Sequence, residues 1–329
     1  MNKKSQIKKI ALMTSGGDAP GMNAAIRAVV RTSVYYEIEV TGIYRGYSGL
    51  IENDMIEMNA RSVSKIINQG GTILKTSRSA EFMTYEGRKK AYDNLIKNNI
   101  DALIVIGGDG SFTGALKLYD EFNFPVMGIP GTIDNDLACT DYTLGYDTAT
   151  NTVIESIDKI RDTANSHNRL FFIEVMGRDA GFIALRTGLA TGAISILLPE
   201  QDVSIDDLIE ILNKNKATRK TSSIVVVAEG DANGGAYNVA KKVKEKFSYL
   251  ETKVTVLGHV QRGGSPSAFD RVMASRMGVK AVEGLLEGYD KHMVGFIKDD
   301  IHYCELLKAI SGTHPINEEL LRISKILSI

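Results

Sequence analysis

The sequence predicts an α/β protein of two Rossmann-like lobes, each a mostly parallel sheet flanked by helices. Three observations carry this. Short apolar runs alternate with helical patterns along the chain, as βαβ units with helices on both sheet faces require. Eight such runs in 329 residues call for two sheets rather than one very wide sheet. Glycine-rich turns follow several runs, where open α/β sheets hold their ligands.

The runs at 9–13, 40–44, 102–106, 126–129, 170–175, 194–198, 223–228 and 253–257 read as strands. The stretches 23–36, 85–98, 147–165, 204–214, 236–247 and 267–287 read as helices. No low-complexity linker divides the chain. A boundary is expected near 145, where the Gly145-Tyr146 turn enters a long helix. The tail from about 300, with Cys304 and a Leu/Ile helical pattern, carries no motif and reads as packing.

Hydrophobic content of 43% and charged content of 24% fit a soluble globular protein. With 39 basic and 40 acidic residues the net charge is −1, which gives no general case for nucleic-acid or membrane-surface binding. Any anion site must be a local arrangement of Arg and Lys. Cys139 and Cys304 lack Cys-x-x-Cys spacing, pointing to a reducing compartment and no structural zinc. Only Ile10-Ala11-Leu12-Met13 is apolar near the start, too short for a signal-peptide core, and no 18-residue apolar run occurs. Cytoplasmic placement is expected.

The chemistry sits in the loops. Residues 130–136, Pro-Gly-Thr-Ile-Asp-Asn-Asp, follow the run 126–129. Asp134 and Asp136 share this loop without Lys or Arg, so an outside cation, a metal or a substrate hydroxyl is wanted. Proton abstraction and phosphoryl chemistry suit such a pair; an acidic turn is the alternative. Gly107-Gly108-Asp109-Gly110-Ser111 enters a helix, letting backbone N–H groups and the dipole meet a phosphate, with Asp109 able to hold Mg²⁺ beside it. Thr14 to Asn23 forms a second glycine loop before a helix, matching neither Walker A nor G-x-G-x-x-G. Arg27 and Arg31 lie one turn apart on that helix, where a solvated basic face is the alternative. Met176-Gly177-Arg178-Asp179, Glu229-Gly230 and Gly258-His259-Val260-Gln261-Arg262-Gly263-Gly264 end three further runs. Their Arg side chains can grip a phosphorylated sugar bidentately. Surface ion pairing for Arg262 and a structural role for His259 remain open at this level.

Ser15–Asn23, Gly107–Ser111, Pro130–Asp136, Met176–Arg178 and Gly258–Pro266 together resemble bacterial ATP-dependent 6-phosphofructokinases. The resemblance runs from about residue 8 to about 290, in the family's order. It implies phosphorylation of fructose 6-phosphate at its 1-hydroxyl, with Mg²⁺, in a homotetramer. A larger ATP-binding lobe would comprise 1–144 plus about 260–310, and a smaller sugar-phosphate lobe 145–259 plus 311–329.

By the same resemblance Asp134 is the base, Thr132 bonds the transferring phosphoryl group and Asp136 orients the site. Gly17, Arg78, Ser79 and the loop Gly108, Asp109, Gly110 and Ser111 hold ATP, with Tyr47 near the purine and Asp109 on Mg²⁺. Met176, Gly177, Arg178 and Glu229 meet the sugar, and His259, Arg262 and Lys253 its 6-phosphate. Arg169 reaches that phosphate from a neighbouring subunit. Pyrophosphate-dependent relatives typically carry Asp where this chain has Gly110 and Lys where it has Gly131, so both glycines imply ATP as donor.

Some positions depart from the family. Lys253 replaces the usual Arg and loses its planar fork. In the effector site Arg27, Arg31, Arg161 and Lys220 match phosphate ligands, but Ala60 (beside Arg61), Ile194 and Thr218 stand where Arg, Glu and Lys are usual. Altered or weakened effector control is expected. NAD and diacylglycerol kinases share the strand–GGDG–helix device but not 130–136 or 258–266. A non-catalytic nucleotide sensor would be expected to lose Asp109, Asp134 or Arg178, and all three are present.

Overall fold

A computed structural model describes residues 7–167, 169–201, 203–217, 223–247 and 251–328. In chain order the elements are β1 (Lys9–Thr14), α1 (Met22–Tyr35), β2 (Glu39–Ile43), α2 (Gly46–Glu52), β3 (Met55–Met58), α3 (Tyr85–Lys97), β4 (Ala102–Gly107), α4 (Asp109–Phe122), β5 (Val126–Thr132), β6 (Leu144–Gly145) and α5 (Tyr146–His167). There follow β7 (Leu170–Val175), α6 (Phe182–Ala190), β8 (Ser195–Leu197), α7 (Ile205–Ala217), β9 (Ser223–Ala228), α8 (Gly235–Lys246), β10 (Thr252–Val256), α9 (Ala268–Glu287), β11 (Lys291–Ile297), β12 (Asp300–Glu305), α10 (Leu306–Ser311) and α11 (Glu318–Leu327).

The chain divides into two compact units. The first comprises Met1–Ile133, Leu137–Thr148 and Arg262–His314; the second comprises Asp134–Asp136, Ala149–Gln261 and Pro315–Ile329. The first holds an eight-stranded sheet in the order β12-β11-β5-β4-β1-β2-β3, with β6 beside β5. Its centre is parallel, and only β3 and β12 run antiparallel to their neighbours. Every residue of β4 is buried, as a parallel strand covered on both faces requires. Met13, Ile43, Leu103, Val105 and Phe112 belong to the core on one side of it.

The second unit holds a four-stranded parallel sheet, β10-β7-β9-β8. Phe172, Leu197, Val225 and Val227 pack there with Leu208 of α7 and Val239 of α8.

The elements α2, β3 and α6 are absent from the sequence reading, and two further features depart from it. The sequence reading places no strand after 253–257, yet 291–305 forms an antiparallel hairpin. Its turn residues Lys298 and Asp299 both take positive φ, 49° and 66°. Such two-residue turns usually advertise themselves by Asn-Gly or Asp-Gly, and neither is present. Cys139 and Cys304, unrelated by spacing, form a disulfide, which corrects the expectation that their spacing points to reduced thiols. It ties the segment after the 130–136 loop to β12, beside the backbone bonds Asp141 N–H to Phe296 O and Ala138 N–H to Ala309 O.

Candidate active site

In the first unit, parallel pairing of β1 with β4 sets Thr14 beside Ile106. The two glycine loops therefore leave adjacent strands side by side, and Ser15 N–H bonds Ile106 O at 3.0 Å. The contact leaves no room for side chains. A Cβ on Gly107 would stand 2.5 Å from Ser111 Oγ and 2.6 Å from Ser15 O. Gly16, at φ 86°, likewise faces Ser111 Oγ. By contrast, a Cβ on Gly110 would meet nothing within 4 Å. Gly110 thus borders open space at the start of α4, where free N–H groups favour an anion. Thr132 packs its side chain on Gly108, 3.5 Å from where a Cβ there would stand. Gly131 lies against the side chains of Ile106 and Met22, 2.9 and 3.2 Å from where a Cβ would stand.

Asp109 is exposed in the first turn of α4. Among the described residues, no group of three or more His, Cys, Asp or Glu side chains could hold a metal ion. A single exposed carboxylate beside the open space at Gly110 fits Mg²⁺ that arrives with a nucleotide, since Mg²⁺ takes one or two carboxylates plus substrate phosphates.

Three first-unit residues make contacts beyond their implied roles. Tyr47 is 6% exposed, stacks on Phe82 at 3.9 Å between ring centroids and donates its hydroxyl hydrogen to Ser111 O. Burial raises its pKa above the usual tyrosine value. One ring face is taken, so Tyr47 supports the α4 turn rather than offering an open platform. The guanidinium of Arg262 lies over Gly17, 3.1 Å from where a Cβ would stand. That brings Arg262 to a loop the resemblance gives to ATP. Ser79 Oγ accepts Phe82 N–H at 3.2 Å and so caps the turn at 81–83, while Arg78 is exposed.

In the second unit, Asp134 is 6% exposed, and Arg178 Nε lies 3.8 Å from its Oδ2. The outside cation that the loop calls for comes from the end of β7. Arg178 is held in a rare backbone conformation, φ 53°, after Gly177 at φ 139°. Glu229 Oε1 fixes that turn, accepting Gly177 N–H at 3.2 Å and Arg178 N–H at 2.7 Å. Gly230 permits the approach, because a Cβ there would stand 2.1 Å from Arg178 O. Gln261, fully buried, accepts Met176 N–H at 3.1 Å and donates to Gly258 O at 3.0 Å. It clamps the end of β7 to the turn that carries His259, whose side chain is exposed.

Arg169 and Lys253 each pair with Glu251 at 3.0 Å. First Arg169 and then Lys253 pull the Glu251 carboxyl down to about 2. The two implied phosphate ligands therefore share one carboxylate.

A profile described as phosphofructokinase matches residues 9–285. The chain belongs to the phosphofructokinase family. It is 54% identical over 323 residues to ATP-dependent 6-phosphofructokinase 1 of Thermus thermophilus, covering 98% of this chain and all of that one. It is 52% identical over 323 residues to ATP-dependent 6-phosphofructokinase 2 of Bacteroides thetaiotaomicron, covering 98% and 99%. Among solved structures it resembles the phosphofructokinase of Pichia pastoris in the T-state, with a TM-score of 0.88 and 36% identity, over 98% of this chain and 37% of that one.

Within this phosphofructokinase, Arg27 and Arg31 lie on α1, half-buried and exposed respectively. Arg161 donates to Thr191 O, and Ile194 joins the second unit's core. Lys220 and Thr218 lie outside the described residues. Supporting residues were missed by inspection of the sequence. Asn23 threads the 69–73 segment, donating to Gln69 O and Gly70 O and accepting Ile73 N–H. Gln261 lies inside the 258–264 motif, and no local pattern signals its bond to Met176 N–H.

Proposed function

We propose that this chain transfers the γ-phosphoryl group of ATP to the 1-hydroxyl of D-fructose 6-phosphate. The pairing of buried Asp134 with Arg178, in a member of this family, is the observation that carries the reading. Asp134 accepts the hydroxyl proton as the sugar oxygen bonds to the γ-phosphorus. The bond from γ-phosphorus to the bridging oxygen breaks, and ADP leaves with that electron pair. Phosphoryl transfer depends on positioning and charge more than on covalent chemistry. Arg178 suits both needs: it faces the Asp134 carboxyl and offsets charge on the transferring group. Thr132, two residues before Asp134, bonds that group, and Asp136 orients the loop. Asp109 would hold Mg²⁺, which supplies charge neutralisation to the donor phosphates when bound.

The Gly16–Gly17 and Gly108–Ser111 loops, with Arg78, take ATP. The open space at Gly110 supports a nucleotide donor, since a side chain there would compete with its α-phosphate. Met176, Gly177, Arg178 and Glu229 take the sugar. Lys253, His259 and Arg262 take its 6-phosphate, with Arg169 reaching a neighbouring subunit's site in a homotetramer. Among the described residues no helix is long and apolar enough to cross a membrane, and a cytoplasmic enzyme is our reading.

A coupled assay with fructose 6-phosphate and Mg²⁺ tests this, comparing ATP with pyrophosphate. Fructose 1,6-bisphosphate is expected from ATP alone, and its absence with both donors overturns the reading. The same assay tests regulation. Ile194 in the core and Arg161 on a backbone carbonyl support weakened control, and strong activation by ADP with strong inhibition by phosphoenolpyruvate would refute it.

A further inference from the structure

Asp270 has no part in the reaction described above, yet it is 1% exposed and surrounded by donors. Its Oδ1 accepts Gly145 N–H at 2.9 Å. Its Oδ2 accepts Thr148 N–H at 2.9 Å and the Thr148 hydroxyl. Its own N–H donates to Ser267 Oγ at 3.1 Å, while Ser267 N–H donates to Thr148 Oγ1 at 2.9 Å. The starts of α5 and α9 thus cap each other, with one buried carboxylate between them.

What this holds is the end of β5. Gly145 pairs with Thr132, and Leu144 with Gly131; the Thr143 hydroxyl donates to Thr132 O. Gly145, at φ 100°, is pressed so closely on Ala19, Pro20 and Ile133 that a Cβ would stand 2.8 Å from Ala19 Cβ. Asp270 therefore sets the height of β6, β6 sets the carbonyl of Thr132, and Thr132 sits on Gly108. The nearest charges do not compensate it. Asp147 on α5 adds to the unfavourable field, and Arg271 on α9 is turned away to Pro266 O and Ser265 Oγ.

We propose that Asp270 is a positioning residue for phosphoryl transfer, locking Thr132 at the end of β5 through the N–H of Gly145. The inference rests on the roles given above to Thr132 and Asp134. Asp270→Asn keeps the shape but turns an amide N–H₂ toward Gly145 or Thr148, so one acceptor is lost. Because a displacement of about 1 Å costs about 100-fold, kcat should fall by that order. KM for ATP and for fructose 6-phosphate should stay within about threefold, since neither ground-state contact is touched.

The test is steady-state kinetics on folded protein, with Asp134→Asn measured alongside. Thr148→Val, which removes one donor and the acceptor for Ser267, should lose part of the same kcat, and Thr148→Ser should restore it. That pair decides the matter if Asp270→Asn does not fold. Full turnover in Asp134→Asn sinks the reading of the site. Loss in Asp134→Asn with unchanged kcat in Asp270→Asn, or a loss confined to KM, sinks this inference. Equal kcat in the two Thr148 variants also overturns it.

Discussion

The two units build their ligand loops by different physics. In the first, backbone meets backbone at van der Waals distance. Gly107 is boxed in by Ser15 and Ser111, Gly145 by Ala19 and Pro20, and a buried carboxylate, Asp270, fastens the frame. In the second, where Gly230 also presses on Arg178 O, charged side chains do part of the holding. Glu229 grips the Arg178 turn and Glu251 is shared between Arg169 and Lys253, with side chains largely reached by solvent. The difference suits the proposed tasks. A phosphate donor needs a fixed cradle of N–H groups, whereas a sugar phosphate must displace existing counter-ions on arrival.

The sharpest test of a steric first unit sets two of its glycines against each other. Gly107→Ala forces Ser15 O or Ser111 aside at the junction of two strand ends. It should cost about 3 kcal/mol or more, as overpacking of a close-packed junction does, with loss of ATP turnover. Gly110→Ala enters open space, so stability should stay within about 0.5 kcal/mol while KM for ATP rises. Denaturant midpoints and ATP saturation curves separate the cases. Similar stability losses in both variants would mean that the cradle is not sterically built.

The carboxylates Asp270 and Glu251 extend the contrast to pH. Burial pushes the Asp270 carboxyl up to about 6, against an ordinary value of 3.8. The native state therefore holds a proton more tightly than the unfolded chain. The group's favourable contribution is complete below the unfolded value and is lost as pH rises through about 6. Two units amount to about 3 kcal/mol by neutral pH. Asp270→Asn carries no such term. Wild-type stability should thus rise relative to the variant as pH falls from about 7 to about 4, read by urea unfolding at several pH values. A constant difference between the two proteins would show that burial does not penalise this charge.

Much of the architecture could be read from sequence because the central strands are continuous apolar runs. β4 is the clearest, with all of its residues buried. The hairpin of β11 and β12 escaped because Lys298 and Asp299 adopt positive φ without a glycine or asparagine to announce it. At the site, strand-end loops were visible because glycine and aspartate cluster there. Their partners were not. Glu229 reaches Arg178 from 51 positions away and Asp270 reaches Gly145 from 125, and no local pattern encodes such pairings. Arg178 could be nominated as a cation, but only the fold sets it 3.8 Å from Asp134. The serine and aspartate at 267 and 270 did carry a capping pattern, which marks the start of α9 but not the second helix that Asp270 also caps.

The smallest expected effect tests the second unit. Glu251 neutralises part of the charge that Arg169 and Lys253 offer to a sugar 6-phosphate. Glu251→Gln keeps the side-chain length and removes the competing anion. Glu251 is open to solvent and such pairs are weak, so KM for fructose 6-phosphate should fall by at most about fivefold. Salt should narrow the difference between the two proteins, because screening weakens the competition. KM for ATP should not move, since the first unit's cradle is untouched. A rise in KM for the sugar phosphate would mean instead that Glu251 aligns the two cations more than it occupies them. The second unit would then be preorganised like the first, and the contrast between steric and ionic construction would fail at this point.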